Sequence, residues 1–247
     1  MSAEKILGES WKLFRKHIRS LALVAAINFV IALAVGFAVL LFGLPPLLSL
    51  VSGMGHGNTL PGVGILVVFF MIVALVISPV ILGAAAFAAK DILGRHAIEP
   101  LSSHRQAVAQ YQAFFPVIAL SGIGVILVLL GLLFFIAARI SAVAIIFALL
   151  CLIPGMLALV LFFCSTYLVA AIGGGVKLVV SRAIQLGLKH VSTILLLFMV
   201  IGLGSSALSF VIGHIPHVGQ LLALFMQSIV GVWTMLVVAV FYKQATA

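Results

Sequence analysis

The chain has 247 residues, of which 65% are hydrophobic and 7% are charged, and its formal net charge is +9. A soluble domain carries roughly 25% charged residues, so this composition excludes a water-exposed globular fold and predicts one integral membrane domain over 1–247. The basic residues lie in short segments between apolar stretches, which favours contact with anionic headgroups and argues against nucleic-acid binding.

The first segment has the pattern of an amphipathic helix. An apolar stripe follows helical spacing through Leu7, Trp11, Phe14, Ile18 and Leu21. This spacing predicts an interfacial helix over about 4–19 that leads into a retained first span, with Trp11 and Phe14 as interfacial anchors. The opposite side is basic, and its predicted lipid-headgroup contacts are Lys5, Lys12, Arg15, Lys16 and Arg19.

Six spans follow from the apolar blocks, since a spanning helix needs about 20 residues. We place them over about 20–43, 63–89, 114–137, 150–172, 191–213 and 218–241. In the first of them, Asn28 is the only strongly polar residue. The block from 114 to 172 holds two spans, and its turn lies either at Arg139–Ser141 or at Pro154–Gly155. We expect an outer turn over about 139–152.

The distribution of basic residues supports this count. With six spans, every Lys and Arg except Arg139 lies on the same side of the membrane. Positive residues collect on the cytoplasmic side. The sequence therefore predicts that both termini are cytoplasmic.

The other inner segments also have helical patterns. Ser103 and Gln106 fit a capping box at the start of one helix. A second helix is predicted over about 176–189, where Arg182 and Lys189 share a face and are further headgroup contacts. The chain therefore reads as three units of amphipathic helix, span and span. This order arises either from internal duplication or from a generic helix-and-hairpin rhythm.

Small and polar residues inside the spans have two interpretations. Glycines such as Gly83, Gly122, Gly124 and Gly202 allow close helix packing, and polar side chains bond between helices at roughly 0.6 kcal/mol each. The alternative is a polar lining for a neutral solute or lipid headgroup. We favour packing. The polar residues concerned are Ser165, Thr166, Tyr167, Gln220, Gln227, Ser228 and Thr234.

Catalytic and cofactor motifs are missing from the sequence. The four acidic residues lie in the inner segments and not in the spans, which leaves no paired carboxylates for acid–base chemistry there. The chain has no zinc helix of the HExxH type and no phosphate-binding loop. We therefore expect no enzyme activity, no cofactor and no proton-coupled transport.

Three histidines in the predicted outer loops form the only metal candidate that we considered. His214 and His217 have a spacing used by metal ligands, and His56 lies in another outer loop. Interfacial histidines without a metal are the alternative, and we favour it. We expect no metal site.

Three stretches resemble the YciC-like bacterial inner-membrane proteins. These are the aromatic-basic run at 11–16, Pro154-Gly155-Met156 at an apolar span, and the basic helix from Ser181 to His190. The resemblance implies a six-span protein of the bacterial inner membrane, in a family whose activity is unassigned. The family usually carries an acidic residue where this chain has Gly173, Gly174 and Gly175, so no role of that acid is transferred.

These observations lead to one functional expectation and two alternatives. We expect a non-enzymatic protein that binds anionic lipids or a partner membrane protein, or that forms a homo-oligomer, in support of envelope or transporter function. The first alternative is a carrier or channel for a small neutral or amphiphilic solute. The second is a lipid-modifying enzyme that depends on His17 or His190.

Overall fold

A computed structural model describes residues 2–38, 59–137, 143–173, 175–216 and 218–246, with the backbone alone for 59–71, 137, 161 and 162. Within these ranges every regular element is a helix. Six helices are long and apolar enough to cross a membrane, which confirms the predicted all-α, six-span fold. They are Ile18–Ala38, Ile72–Leu93, Tyr111–Ile136, Val143–Ile172, Val191–Gly213 and Gly219–Thr246.

The helices are numbered in chain order through the described residues. Their bounds are α1 Ala3–Lys16, α2 Ile18–Ala38, α3 Thr59–Leu93, α4 Pro100–Ala109, α5 Tyr111–Ala137, α6 Val143–Phe163, α7 Ser165–Ile172, α8 Val176–Lys189, α9 Val191–Gly213 and α10 Gly219–Thr246. The spans are α2, α3, α5, α6 with α7, α9 and α10. The helices α1, α4 and α8 are called the amphipathic helices.

Each amphipathic helix is separated from the following span by one residue. These residues are His17, Gln110 and His190, and their φ/ψ angles are −111°/22°, −102°/19° and −127°/28°. In all three, the backbone N–H still donates to the carbonyl four residues earlier, at 3.0 to 3.1 Å. The chain therefore changes direction without a loop, and the order of amphipathic helix, span and span occurs three times.

The amphipathic helices differ in detail from their predicted bounds. The first ends at Lys16, three residues earlier than predicted. The capping box at Ser103 is wrong, because Glu99 is the N-cap and Pro100 supplies the first turn. The Ser103 hydroxyl instead donates to the Glu99 carbonyl at 3.3 Å, and the Gln106 amide donates to Ser102 at 3.2 Å.

The fourth span begins earlier than predicted. Helix α6 starts at Val143, so the proposed outer turn is wrong for residues 143–152, and Pro154 lies inside the helix. An apolar run carries no local signal for where a turn falls, and the third and fourth spans pack closely at this level. A Cβ atom built on Gly131 would lie 2.5 Å from Cγ of Leu152, so the two helices are already in contact at this level. Arg139 lies outside the described residues.

The core consists mainly of the last parts of the second, fourth and sixth spans. Each contributes a continuous buried run, at 83–89, 163–170 and 235–241. Alanine and glycine dominate the first run and allow neighbouring helices to approach closely. The opposite halves of the spans carry many exposed apolar side chains, among them Leu129, Leu133, Phe210 and Leu221. The continuous buried runs of the described residues therefore lie in the half of the bundle that carries the amphipathic helices, while in the opposite half the third and fourth spans pack closely at Gly131.

Polar contacts place the chain's two ends at the same end of the bundle. The Glu9 carboxylate lies 3.8 Å from Nζ of Lys243 and accepts a hydrogen bond from Gln244 at 2.8 Å. Lys90, near the end of the second span, donates to the carbonyl of Ala170 in the fourth at 2.8 Å. This agrees with the sorting of basic residues to one side, while the compartment on that side stays a prediction.

Candidate lipid-binding face and grooves

The first amphipathic helix packs through a face that is rotated from the predicted stripe. Its buried residues are Ala3, Ile6, Ser10 and Phe14. Trp11 lies at the border of this face and is 48% exposed. Its ring stacks on Phe14 at 5.7 Å and meets the edge of Trp233, in the sixth span, at 6.3 Å.

All seven predicted headgroup residues are exposed. Four lie on α1, one lies at the start of α2 and two lie on α8: Lys5, Lys12, Arg15 and Lys16, then Arg19, and then Arg182 and Lys189. On α1, Glu9 is paired with Lys243, and the part of the chain that the structure describes contains no other ion pair. The cations are therefore accessible, and no intramolecular acid neutralises them.

A groove lies along the side of α1, between this helix and the fifth and sixth spans. We call it the α1 groove. Its volume is about 610 Å³, and it is lined by Ala3, Glu4, Leu7, Gly8, Trp11, Leu196, Val200 and Trp233. The indole Nε1 of Trp233 is buried and has no hydrogen-bond partner among the described residues.

A shallow polar depression adjoins the α1 groove. We call it the headgroup depression. It measures about 460 Å³ and is lined by Ser2, Glu4, Lys5, Gly8, Glu9 and Lys12. Glu4 and Gly8 line both sites, so the depression and the groove lie side by side on adjacent faces of α1.

A second apolar groove, the span groove, separates the first, second and sixth spans. Its volume is about 630 Å³, and it is lined mostly by small and aliphatic residues such as Ala32, Gly36, Ile81 and Leu224. Three polar residues also line it: Asn28, Gln227 and Ser228.

The Asn28 side chain joins this groove to helix α4. Its Oδ1 lies 2.9 Å from Nε2 of His104, its amide donates to the carbonyl of Ile81 at 3.3 Å, and His104 Nδ1 lies 2.7 Å from the carbonyl oxygen of Pro100. Both side chains are buried, at 2% and 7% exposure. Sequence reasoning missed His104, and the isolated polar Asn28 was the signal that pointed to a buried partner.

Helix α4 reaches Asn28 because it folds back along the second span. A Cβ atom built on Gly83 would lie 2.9 Å from Cβ of Ala107 and 3.2 Å from the Phe114 ring. Only glycine permits this approach.

The predicted polar contacts between spans are found at Gln227. Its amide donates to Ser209 at 2.6 Å, and its carbonyl oxygen accepts from Ser205 at 3.2 Å, which joins the fifth and sixth spans. Ser228 and Thr234 instead bond to carbonyls of their own helix.

The packing interpretation of the small residues holds at some positions and fails at one. A Cβ atom on Gly124 would lie 3.0 Å from Cβ of Ala158, and one on Gly122 would lie 3.4 Å from Leu75. At Gly202 a Cβ atom would meet nothing within 4 Å. Packing of Gly202 against another helix is therefore wrong for the described residues.

The metal candidate is not tested, because His56 and His217 lie outside the described residues. His214 donates from Nδ1 to the carbonyl of Phe210 at 2.7 Å. Within the described ranges, no group of three or more His, Cys, Asp or Glu residues is arranged to hold a metal.

His190, one of the junction histidines, is packed edge-on against the Phe241 ring at 5.7 Å. Its Nε2 is buried and has no partner among the described atoms. Burial lowers the pKa of His190, and the charge of Lys189 lowers it further.

No family model, curated protein or solved structure matches this chain. It is a multi-span helical membrane protein. The likeness to YciC-like proteins stays a prediction that depends on the three stretches quoted for it.

Proposed function

We propose that this protein is a non-enzymatic component of the bacterial inner membrane that binds anionic phospholipids through its amphipathic helices. One observation carries the proposal: the cations of α1 and α8 are exposed, while the opposite faces of both helices are buried against the spans. The spans thus fix where these charges are presented.

The charge balance favours an anionic partner. Helix α1 carries Lys5, Lys12, Arg15 and Lys16, and of its two acids Glu9 already engages Lys243. A basic residue near an anionic membrane surface contributes about 1 kcal/mol of binding. The helix therefore supplies enough charge to prefer anionic over zwitterionic lipids.

The same charges support an orientation with both termini in the cytoplasm, following the positive-inside rule. In this orientation the amphipathic helices face the cytoplasmic leaflet. We propose that the protein acts together with the bound lipid and with a partner membrane protein or a second copy of the chain. In this way it supports envelope or transport processes.

The span groove favours a second candidate, a carrier for a small neutral or amphiphilic solute. It combines an apolar wall with the polar Asn28 and Gln227. However, the buried runs at 83–89 and 235–241 occupy the half of the bundle that carries the amphipathic helices. Transport would require this half to open, so we prefer lipid binding.

Lipid retention tests the proposal. Protein purified from membranes of mixed composition is analysed by native mass spectrometry, and we expect phosphatidylglycerol to be enriched severalfold over phosphatidylcholine. The variant Lys12→Gln/Arg15→Gln/Lys16→Gln loses this enrichment, because about 3 kcal/mol of attraction is removed. Arg95→Gln, outside the amphipathic helices, is the single-charge control. Indifference of the wild type to headgroup charge would refute the proposal.

A further inference from the structure

The α1 groove and the headgroup depression together have the shape and chemistry of a site for one lipid molecule. We propose that an anionic phospholipid binds here, with one acyl chain in the α1 groove and its phosphate in the headgroup depression. This inference rests on the proposed lipid-binding function and deepens it by naming a single specific site.

The groove is apolar and follows a span. Leu196 and Val200 form its wall and are 50% and 44% exposed. They lie five and nine residues after Val191, the first residue of α9. At 1.5 Å per residue, the groove extends roughly 8 to 14 Å along the fifth span from the end next to His190. An acyl chain lying along the span would cover these side chains.

Gly8 lies where the chain and the headgroup meet. It lines both the groove and the depression. A Cβ atom built on Gly8 would meet nothing within 4 Å, so the space beside it is open. A larger side chain at this position would separate the two parts of the site without straining the fold.

Charge complementarity selects an anionic lipid. Lys5 and Lys12 line the depression, three residues before and four residues after Gly8, so they flank it on one helix face. Glu4 also lines the depression and opposes an anion, whereas Glu9 is paired with Lys243 and Gln244. Two cations therefore face one unpaired acid.

Trp233, which lines the groove, also has a hydrogen-bond donor without an acceptor. The indole nitrogen of Trp233 carries a hydrogen and is buried without a hydrogen-bond partner in the described part of the chain. Trp is a donor only. Because this nitrogen is buried, the Trp233 side chain must shift on binding for an ester or phosphodiester oxygen of the lipid to supply the matching acceptor.

Tryptophan fluorescence provides a direct readout, because the chain has two tryptophans and both line the groove. The protein is reconstituted in phosphatidylcholine vesicles that contain a fixed fraction of one brominated lipid. This lipid is either phosphatidylglycerol or phosphatidylcholine, and in both cases its acyl chains carry the bromine. Bromine quenches a tryptophan that it contacts. We expect brominated phosphatidylglycerol to quench at least twofold more than brominated phosphatidylcholine.

Matched variants assign the quenching to this site. Gly8→Leu is expected to abolish the difference between the two lipids, whereas Gly202→Leu, also in open space but outside the groove, retains it. Lys5→Gln/Lys12→Gln is expected to lose the difference as well. Trp233→Phe removes the donor and keeps an aromatic ring, and its remaining Trp11 signal should show at least twofold weaker affinity for brominated phosphatidylglycerol.

The outcomes separate this site from the general function. Equal quenching by the two lipids overturns the site. The site is also overturned if Gly8→Leu and Trp233→Phe are both quenched as the wild type is. If the protein still enriches phosphatidylglycerol in that case, the proposed function stands. A third outcome is that neither lipid quenches the tryptophans and that two copies of Gly8→Cys form a disulfide cross-link. This outcome shows that a second copy of the chain covers the groove, and it also overturns the lipid site.

Discussion

The side-chain oxygen of Asn28 lies 2.9 Å from Nε2 of His104, and this contact joins the first span to an amphipathic helix 76 residues further along the chain. It is a buried polar link in a bundle whose core is otherwise largely apolar. Because a buried polar group left without a partner costs roughly 1–3 kcal/mol, each residue constrains the other.

We expect Asn28→Leu and His104→Phe each to lower the free energy of unfolding by about 1–3 kcal/mol, since each leaves the facing atom, Nε2 of His104 or Oδ1 of Asn28, without its partner. The double variant should lose less than the sum of the two, with a coupling of about 0.5–3 kcal/mol. Reversible unfolding in mixed micelles measures all three. Strict additivity would show that the contact contributes nothing.

Gly155→Ala should destabilise the hairpin of the third and fourth spans by about 1–3 kcal/mol. Its new Cβ would lie 2.9 Å from the backbone nitrogen of Val128 and 3.0 Å from the carbonyl oxygen of Gly124, and backbone atoms cannot yield easily. Gly202→Ala is the matched control, because nothing lies within 4 Å of its Cβ. The melting temperature in detergent measures both, and equal effects would contradict the close packing.

Gln227→Leu should loosen the hairpin of the fifth and sixth spans, because Ser205 and Ser209 lose their common partner. With two interhelical hydrogen bonds removed at about 0.6 kcal/mol each, we expect a loss of about 1 kcal/mol. Ser228→Ala, whose hydroxyl bonds within its own helix, is the control. Hydrogen exchange of the two helices measures the effect, and faster exchange in the control alone would refute it.

Acid should destabilise the protein through His190. Burial lowers the pKa of His190 below its ordinary value of 6.5, so the unfolded chain takes up this proton at a higher pH than the folded chain. Its contribution to stability is therefore present above pH 6.5 and is lost as the pH falls through the lowered pKa.

Melting temperatures between pH 7.5 and 5 measure this effect. The decrease on acidification should be smaller in His190→Gln than in the wild type. His17→Gln, at the matching junction of the first unit, controls for the loss of a junction histidine and should behave as the wild type. An unchanged pH dependence in His190→Gln would remove His190 as the cause.

Membrane-impermeant labelling tests the orientation. In a background with Cys151 and Cys164 replaced by alanine, single cysteines at Ser2 and Thr246 should react only from the cytoplasmic side, and a cysteine at His214 only from the other side. The ion pair of Glu9 with Lys243 requires the first two to share a side. Labelling of Ser2 and Thr246 from opposite sides would contradict both the fold and the proposed orientation.

Composition, hydrophobic length and the distribution of basic residues determined the class of this protein and its number of spans. A chain with 7% charged residues has too few to cover a water-exposed surface, and the apolar blocks have the length of one bilayer crossing, except 114–172, which has the length of two. The helix Val176–Lys189 was located because its apolar and basic residues alternate with helical period. These features are local, so they can be read along the chain.

The tertiary structure decided which residues meet. Asn28 and His104, Gly83 and Ala107, and Trp11 and Trp233 are distant in the sequence, and each pairing depends on how helices fold back on one another. The start of the described helix at Val143 could not be read from the sequence, because an apolar run carries no local signal for where a turn falls. The surrounding lipid and the packed interior of the protein are both apolar. The hydrophobicity of a residue therefore shows that it avoids water, but it does not show which neighbour the residue contacts.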